Sequence, residues 1–355
     1  MVNLLDLSFG ELENFLMELG EQPFRAKQIW QWLWQKGVSD FQDMSNIAKS
    51  LRLIMAENAV IHKPTLIDTK QSRDGTVKFL LKLSDGEYIE SVLLHERDHY
   101  TQCLSTQVGC AMACHFCATG DLGYRRNLTQ SEILGQILIA REYLAEDNTN
   151  RSLRNLVFMG MGEPFLNMEN LVKSLRSAII DPGLNFSSRR ITVSTVGLKG
   201  KIPAFGELGL GLLAVSLHAP NQELREAIMP KAASAYPLSR LISDLKAYPL
   251  KPRERITIEY ILFKGLNHSL YHAQELAKLL RGIKAKINII AYNPCNLPPA
   301  IRKDKPIRFV APTEDEVDKF KDMLWDLGLL ATIRRSKGRD IGAACGQLAA
   351  IAKTN

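Results

Sequence analysis

The sequence predicts an α/β protein: a parallel sheet with crossover helices, preceded by a helical module and a small antiparallel extension. Three observations predict it. From about residue 96 of the 355-residue chain, short runs rich in β-branched residues alternate with amphipathic segments. Parallel strands need such long crossovers. Between residues 63 and 94 the hydrophobic period is two, and Asp74-Gly75 and Asp85-Gly86 are hairpin-type dipeptides. Before that stretch the period is that of a helix.

In chain order, Ser8 caps a first helix through Leu19, with Leu12, Phe15 and Leu16 on one face. Pro23 opens a second helix, in which Ile29, Trp30, Leu33 and Trp34 form an apolar stripe. Trp32 falls off that stripe and is expected to face a partner or a neighbouring element. A third helix follows Ser45. In the last strand of the extension Tyr88, Glu90, Val92 and Leu94 share one face. Burial there disfavours a charged carboxylate and raises its pKa, which suits a proton-transfer group; a solvated edge-strand glutamate is the alternative. Strands are expected at 101–107, 155–160, 190–195, 212–217, 255–262, 286–292 and 329–334. Helices are expected near 129–145, 168–180, 221–229, 238–247, 269–281 and 314–327. Thr129 with Glu132 and Thr313 with Glu316 form capping boxes. The expected divisions are a helical accessory domain at 1–60, a β-hairpin extension at 61–95, an α/β core at 96–338 and a C-terminal segment at 339–355.

Hydrophobic content of 46% and charged content of 23% are those of a globular chain. No apolar run approaches the roughly 18 residues of a membrane helix. The N-terminus is acidic and lacks the basic start of a signal peptide. Six cysteines, three of them clustered, fit a reducing compartment better than a disulfide scaffold. A cytoplasmic protein without membrane association is therefore expected. The net charge of +7 favours a polyanionic partner such as RNA. Arg125, Arg126, Arg189, Arg190, Arg334, Arg335, Lys337 and Arg339 are candidate phosphate contacts, each with a solvated surface charge as its alternative.

The chemistry centres on Cys110-Ala-Met-Ala-Cys114-His-Phe-Cys117. Three thiolates at this spacing suit three irons of a four-iron, four-sulfur cluster, leaving the fourth iron open to a small molecule. A closed structural zinc site would want four ligands, so His115 or a distant group would have to complete it. Unusual residues gather at the carboxyl ends of the expected strands, where α/β proteins collect ligands. These are Met159-Gly-Met-Gly162-Glu163-Pro164, Ser194-Thr-Val-Gly197, Ser216-Leu217-His218-Ala-Pro220 and Tyr292-Asn293-Pro294. The glycines would let backbone approach a ligand closely, and Glu163 would accept hydrogen bonds from an ammonium group. Cys103 lies on the strand that delivers the cysteine loop. Cys345 follows the basic stretch 334–339 in a small-residue neighbourhood that favours an accessible, reactive thiol. A buried core cysteine and a surface thiol are the respective alternatives. Cys295 is assigned no chemistry.

The cysteine triplet resembles the signature of the radical S-adenosylmethionine (SAM) enzymes. With Glu90, Cys103, Met-Gly-Met-Gly-Glu-Pro, Ser-Leu-His-Ala-Pro and Ala-Ala-Cys-Gly-Gln-Leu in order, nearly the whole chain resembles the RlmN/Cfr family of radical SAM RNA adenine methyltransferases. The resemblance implies a partial (β/α)6 barrel and an RNA-binding role for the N-terminal domain. It implies one [4Fe-4S] cluster per chain on Cys110, Cys114 and Cys117, and two SAM molecules consumed per turnover. Gly162 and Glu163 would meet the SAM amino group, and Ser194, Ser216, Leu217, His218 and Asn293 its sulfonium, ribose and adenine. Cys345 would accept a methyl group, lose a hydrogen to a deoxyadenosyl radical, and join its carbon to the adenine. Cys103 would release the product by forming a disulfide, with Glu90 as proton acceptor. The implied substrates are 23S rRNA and tRNA, with an external electron donor such as flavodoxin and a monomeric enzyme. Pro164 points to the carbon-2 branch rather than the carbon-8, antibiotic-resistance branch. A metal-stabilised RNA-binding protein and a thiol oxidoreductase are the other readings; the first needs neither Cys103 nor Cys345, the second no cysteine triplet.

Overall fold

The computed structural model describes residues 1–147, 151–295, 297, 300–302 and 305–350, so the last five positions of the expected C-terminal segment lie outside the described residues. Among the described residues ten strands form one sheet, and their order across it is their order along the chain. They are β1 (Thr65–Gln71), β2 (Val77–Lys82), β3 (Tyr88–His95), β4 (Tyr100–Cys103) and β5 (Leu153–Phe158). The others are β6 (Ile191–Thr195), β7 (Leu212–Ser216), β8 (Ile256–Leu262), β9 (Ala285–Ala291) and β10 (Ala331–Ile333). Strands β1 to β4 pair antiparallel. From β4 to β10 every pairing is parallel.

Among the described residues the sheet is open at both edges, its seven parallel strands not closing, as in a partial barrel. Strand β4 stops at Cys103, short of the expected end at 107. The chain turns there because residues 104–107 bond to the segment after β5: Gly160 donates to the Leu104 carbonyl at 3.0 Å, and Thr106 to the Met161 carbonyl at 2.8 Å. Gln107–Gly109 then pairs antiparallel with Tyr124–Asn127. A Cβ on Gly109 would sit 1.8 Å from the Gly123 carbonyl oxygen, so only glycine allows that crossing. The expected helices appear, with capping boxes at Thr129 and Thr313. Three short helices went unread: Ala118–Asp121, a single turn after the cysteine triplet, and Lys201–Leu208 and Pro230–Ala235. The last two each carry a proline, which reads as punctuation in a sequence.

The N-terminal module forms as its periodicity predicts. Ser8 makes a capping box with Glu11, and Leu12, Leu16, Ile29, Trp30, Leu33 and Trp34 are fully buried. The third helix, Lys49–Asn58, begins a turn later than expected. Trp32 meets a neighbouring element, its indole N–H donating to Asn46 at 2.5 Å. The module is bonded to the core helix Gln130–Glu146. Gln130 Nε2 donates to the carbonyls of Leu5 and Leu7, both at 2.8 Å, and Ser131 N–H donates to Asp6 at 2.8 Å.

Candidate active site

The cysteine loop leaves the sheet after Gly109 and is pinned by its own backbone. Cys110 N–H donates to the Gly123 carbonyl at 2.8 Å, His115 N–H to that of Ile228 at 3.0 Å, and Cys117 N–H to that of Cys114 at 3.1 Å. Ala113 is held at φ 46°, a left-handed conformation that a non-glycine residue keeps only where its surroundings impose it. Burial pushes the Cys110 thiol up to about 12 and raises Cys114 and Cys117 as well. After burial, the charges of Cys117 and Cys110 are what raise Cys114, so the three sulfurs are electrostatic neighbours. A four-iron cluster takes one thiolate per iron, and three neighbouring cysteines on one strained loop fit that donor set.

The strand ends lie beside this loop. Glu163 is buried, and burial raises its pKa against the pull of its donors. Oε1 accepts from Thr195 Oγ1 at 2.6 Å and Phe165 N–H at 3.0 Å, and Oε2 from Val196 N–H at 2.9 Å. A carboxylate has about four acceptor positions, so one is left for a ligand ammonium. Gly160 and Gly162 also lie tight against the chain itself. Added Cβ atoms would lie 2.7 Å from the Leu104 oxygen and 2.5 Å from Gln107 Cβ, so these glycines let two chain segments cross. The Ser194 and Ser216 hydroxyls are 3.3 Å apart. His218 is buried at φ 56°. Burial, then the Arg225 charge, lowers its pKa to about 3. Its Nδ1 accepts the Ile261 N–H at 3.1 Å, which assigns the hydrogen to Nε2. Phe116 of the cysteine loop packs edge-on to this ring at 5.2 Å. Leu217 is fully buried. Asn293 is engaged by the chain itself: Nδ2 donates to the Cys345 carbonyl at 3.3 Å and Oδ1 accepts from Arg339 at 2.9 Å.

Arg225 was missed. It is fully buried on the helix Gln222–Ile228 and donates to the carbonyls of Ser216 at 3.1 Å, Leu217 at 2.7 Å and Val196 at 2.5 Å. Burial lowers its pKa to about 10. It ties together two of the strand ends. The signal was present: position 225 shares the buried face with Leu224 and Ile228.

Cys103 and Cys345 are brought together. Both line one pocket with Cys117, Met159, Gly160 and Arg334. The buried Cys103 thiol is pushed up to about 12, by burial and then by the charge of Cys345, with Arg334 pulling the other way. The Cys345 segment packs on the cysteine loop: Ala118 N–H donates to the Gly346 carbonyl at 2.7 Å, and Thr119 Oγ1 to that of Leu348 at 2.7 Å. Cys295 touches the same segment, with its sulfur 3.3 Å from the Gly346 oxygen.

Glu90 is buried on β3, an interior strand, so it is no solvated edge residue. Nor is it in apolar surroundings: Oε1 is 2.9 Å from Lys78 Nζ, and Oε2 accepts the Ala349 N–H at 2.8 Å. The basic candidates divide. Arg189, Arg190 and Arg335 are exposed. Arg125 pairs with Glu87 at 2.6 Å, Arg126 with Asp85 at 2.6 Å and Glu132 at 2.7 Å, and Lys337 with Glu96 at 2.9 Å. Arg334 is no surface phosphate contact but a wall of the thiol pocket, its guanidinium 3.3 Å from Met159 Sδ. Its pKa is raised, first by the charge of Cys345.

The family described as ribosomal RNA large subunit methyltransferase N-terminal domain matches residues 2–61, and the radical SAM superfamily matches residues 104–277. The dual-specificity RNA methyltransferase RlmN of Oleidesulfovibrio alaskensis is 54% identical over 99% of this chain and 96% of its own length. The protein of the same name from Nitratiruptor sp. is 44% identical over 98% of both. A crystal structure of a radical SAM methyltransferase from Sphaerobacter thermophilus superposes with a TM-score of 0.89 at 40% identity, covering 99% of this chain and 100% of that one. Among the described residues no helix is long and apolar enough to cross a membrane.

Proposed function

We propose a function from one premise: this chain belongs to the RlmN family of radical SAM RNA methyltransferases. It methylates carbon 2 of a specific adenosine in 23S rRNA and of the adenosine beside the anticodon in some tRNAs. The observation that carries this reading is the single pocket lined by Cys103, Cys345 and the cluster-loop Cys117. Carbon 2 of adenine is electron-poor and does not attack an electrophilic methyl group, so a radical route is needed and the cofactor supplies it. Cys110, Cys114 and Cys117 would hold the cluster, which would supply the one-electron reduction that radical SAM chemistry requires.

The chain's own residues do the rest. Glu163 keeps an acceptor position for the SAM ammonium. His218, neutral at working pH, offers an Nε2–H donor. Gly162, Ser194, Ser216, Leu217 and Asn293 shape the remainder of that site. Cys345 carries the methyl group whose carbon becomes bonded to the adenine. Glu90 accepts the proton lost from that adenine carbon, and the adduct gives up its one unpaired electron, for which the cluster would be the acceptor. Cys103 attacks the Cys345 sulfur; the S–S bond forms as the bond from that sulfur to the new methyl carbon breaks, leaving its electron pair on the product, whose carbon takes up a proton to become the methyl group. Because burial holds Cys103 as a thiol, the attack requires it to lose a proton first. Two SAM molecules are consumed, an external donor such as flavodoxin supplies electrons, and an external reductant reopens the disulfide. The adenosine must be unstacked to enter, which single-stranded loops allow at least cost. Residues 1–60 and the exposed arginines serve RNA binding, 61–95 form the extension, 96–338 carry the radical SAM core and 339–355 the methyl-accepting segment. The enzyme works as a monomer in the reducing cytoplasm.

The test is Cys103→Ala in the reconstituted enzyme. A covalent protein–RNA adduct should accumulate on denaturing gels, and nuclease digestion of RNA made by the parent should yield 2-methyladenosine. Clean turnover by the variant removes Cys103 from the scheme, and 8-methyladenosine from the parent moves the chemistry to carbon 8.

A further inference from the structure

The extension and the Cys345 segment meet along a run of polar contacts that the scheme above leaves unused. Ser72 Oγ donates to Asp340 Oδ1 at 2.6 Å, and Gly338 N–H to Asp74 Oδ2 at 2.9 Å. Lys78 on β2 donates to the Gly342 carbonyl at 3.2 Å and pairs with Glu90 Oε1 at 2.9 Å. Ala349 N–H, beyond Cys345, donates to the other Glu90 oxygen at 2.8 Å. In the β2–β3 ladder Lys78 faces Val92 and Leu80 faces Glu90, so Lys78 and Glu90 are diagonal neighbours on one face. Their side chains are only 11% and 9% exposed. Charges so deeply placed persist when they are paired and their remaining groups are hydrogen-bonded.

We propose that Lys78 is a positioning residue for methyl transfer. Its one ammonium group holds both the Glu90 carboxylate and the backbone of the Cys345 segment, so proton acceptor and methyl-carrying sulfur share a single frame. An ammonium has three donors on one compact centre, which suits a bridge between a carboxylate and a carbonyl. The Asp340 and Asp74 contacts anchor the start of the segment, and Lys78 and Glu90 anchor the parts on either side of Cys345. The three antiparallel strands thereby become the seat of the methyl-accepting segment. The inference rests on the roles given above to Glu90 and Cys345.

The test compares Lys78→Met with Asp340→Asn in the reconstituted holoenzyme. Two quantities are measured: the rate at which iodoacetamide labels Cys345, mapped by peptide mass, and the single-turnover rate of methyl transfer to RNA from enzyme already methylated at Cys345. Loss of a hydrogen-bonded buried charge should raise labelling and slow transfer on the order of tenfold in Lys78→Met. Asp340→Asn, which leaves the Glu90 pair intact, should raise labelling and leave transfer nearly at the parental rate. Lys78→Gln keeps a donor without the charge and stands in where the methionine variant does not accumulate. Parental labelling and transfer in the Lys78 variants overturn the proposal, as does equal slowing by Lys78 and Asp340 variants, which would reduce the contacts to general stabilisation. Absence of methyl on Cys345 in the parent overturns the relay instead, and the labelling contrast still judges whether Lys78 holds the segment.

Discussion

The two halves of the central sheet hold their functional groups by different means. In the parallel half, β4–β10, the groups sit beyond strand ends and the main chain places them. Glu163 is gripped by two backbone N–H groups and a threonine, His218 sits in a left-handed turn, and Arg225 laces the ends of β6 and β7 through carbonyls. In the antiparallel half Glu90 lies in mid-strand, and cross-strand side chains place it. A strand end can present any residue at a ligand, because the backbone there is already turning away from the ladder. Glu90, in mid-strand inside the sheet, has its partner charge on the next strand, Lys78. In the proposed scheme radical generation belongs to one half and sulfur positioning to the other, with the Cys345 segment spanning both.

The largest effect separates the halves outright. Cys110→Ala should lose the iron–sulfur absorbance and all reductive SAM cleavage, while iodoacetamide labelling of Cys345 stays at the parental rate. Labelling that rises sharply would show the halves to be one mechanical unit. Next, Arg225→Met leaves three buried carbonyls without their donor and should cost roughly 3 kcal/mol of stability, read as a lower denaturant midpoint. A change of only a few tenths would mean the strand ends hold themselves. The smallest effect sharpens the boundary at Cys103, which faces both halves. Its thiol is pushed up to about 12 by burial. Attack needs the deprotonated form, whose fraction rises with pH below that value, so release of the RNA adduct should quicken by about tenfold per unit between roughly pH 7 and 9. A flat profile would mean that another step limits release.

Much of this was legible in residue order. The strands at 191–195, 212–216 and 256–262 fall within a residue of where β-branched runs placed them, because a buried parallel strand is apolar almost throughout. The caps at Ser8, Thr129 and Thr313 were readable because a cap is a contact over three residues. Arg225 was readable in principle and missed, since a charge on an apolar helix face is visible only once the helix phase is known. The break after Cys103 was not readable, because it depends on Gly160 and Met161, more than fifty residues away.

By itself the sequence determined the element order, the spacing of the cysteine triplet and the inventory of six thiols, since local periodicity and spacing specify them. Only the tertiary structure decided that the sheet stays open, that Glu90 is paired rather than isolated, and that Cys103, Cys117 and Cys345 share one pocket. Those outcomes depend on contacts between residues far apart in the chain. Spacing along a sequence does not constrain which distant strands become neighbours, and close packing does.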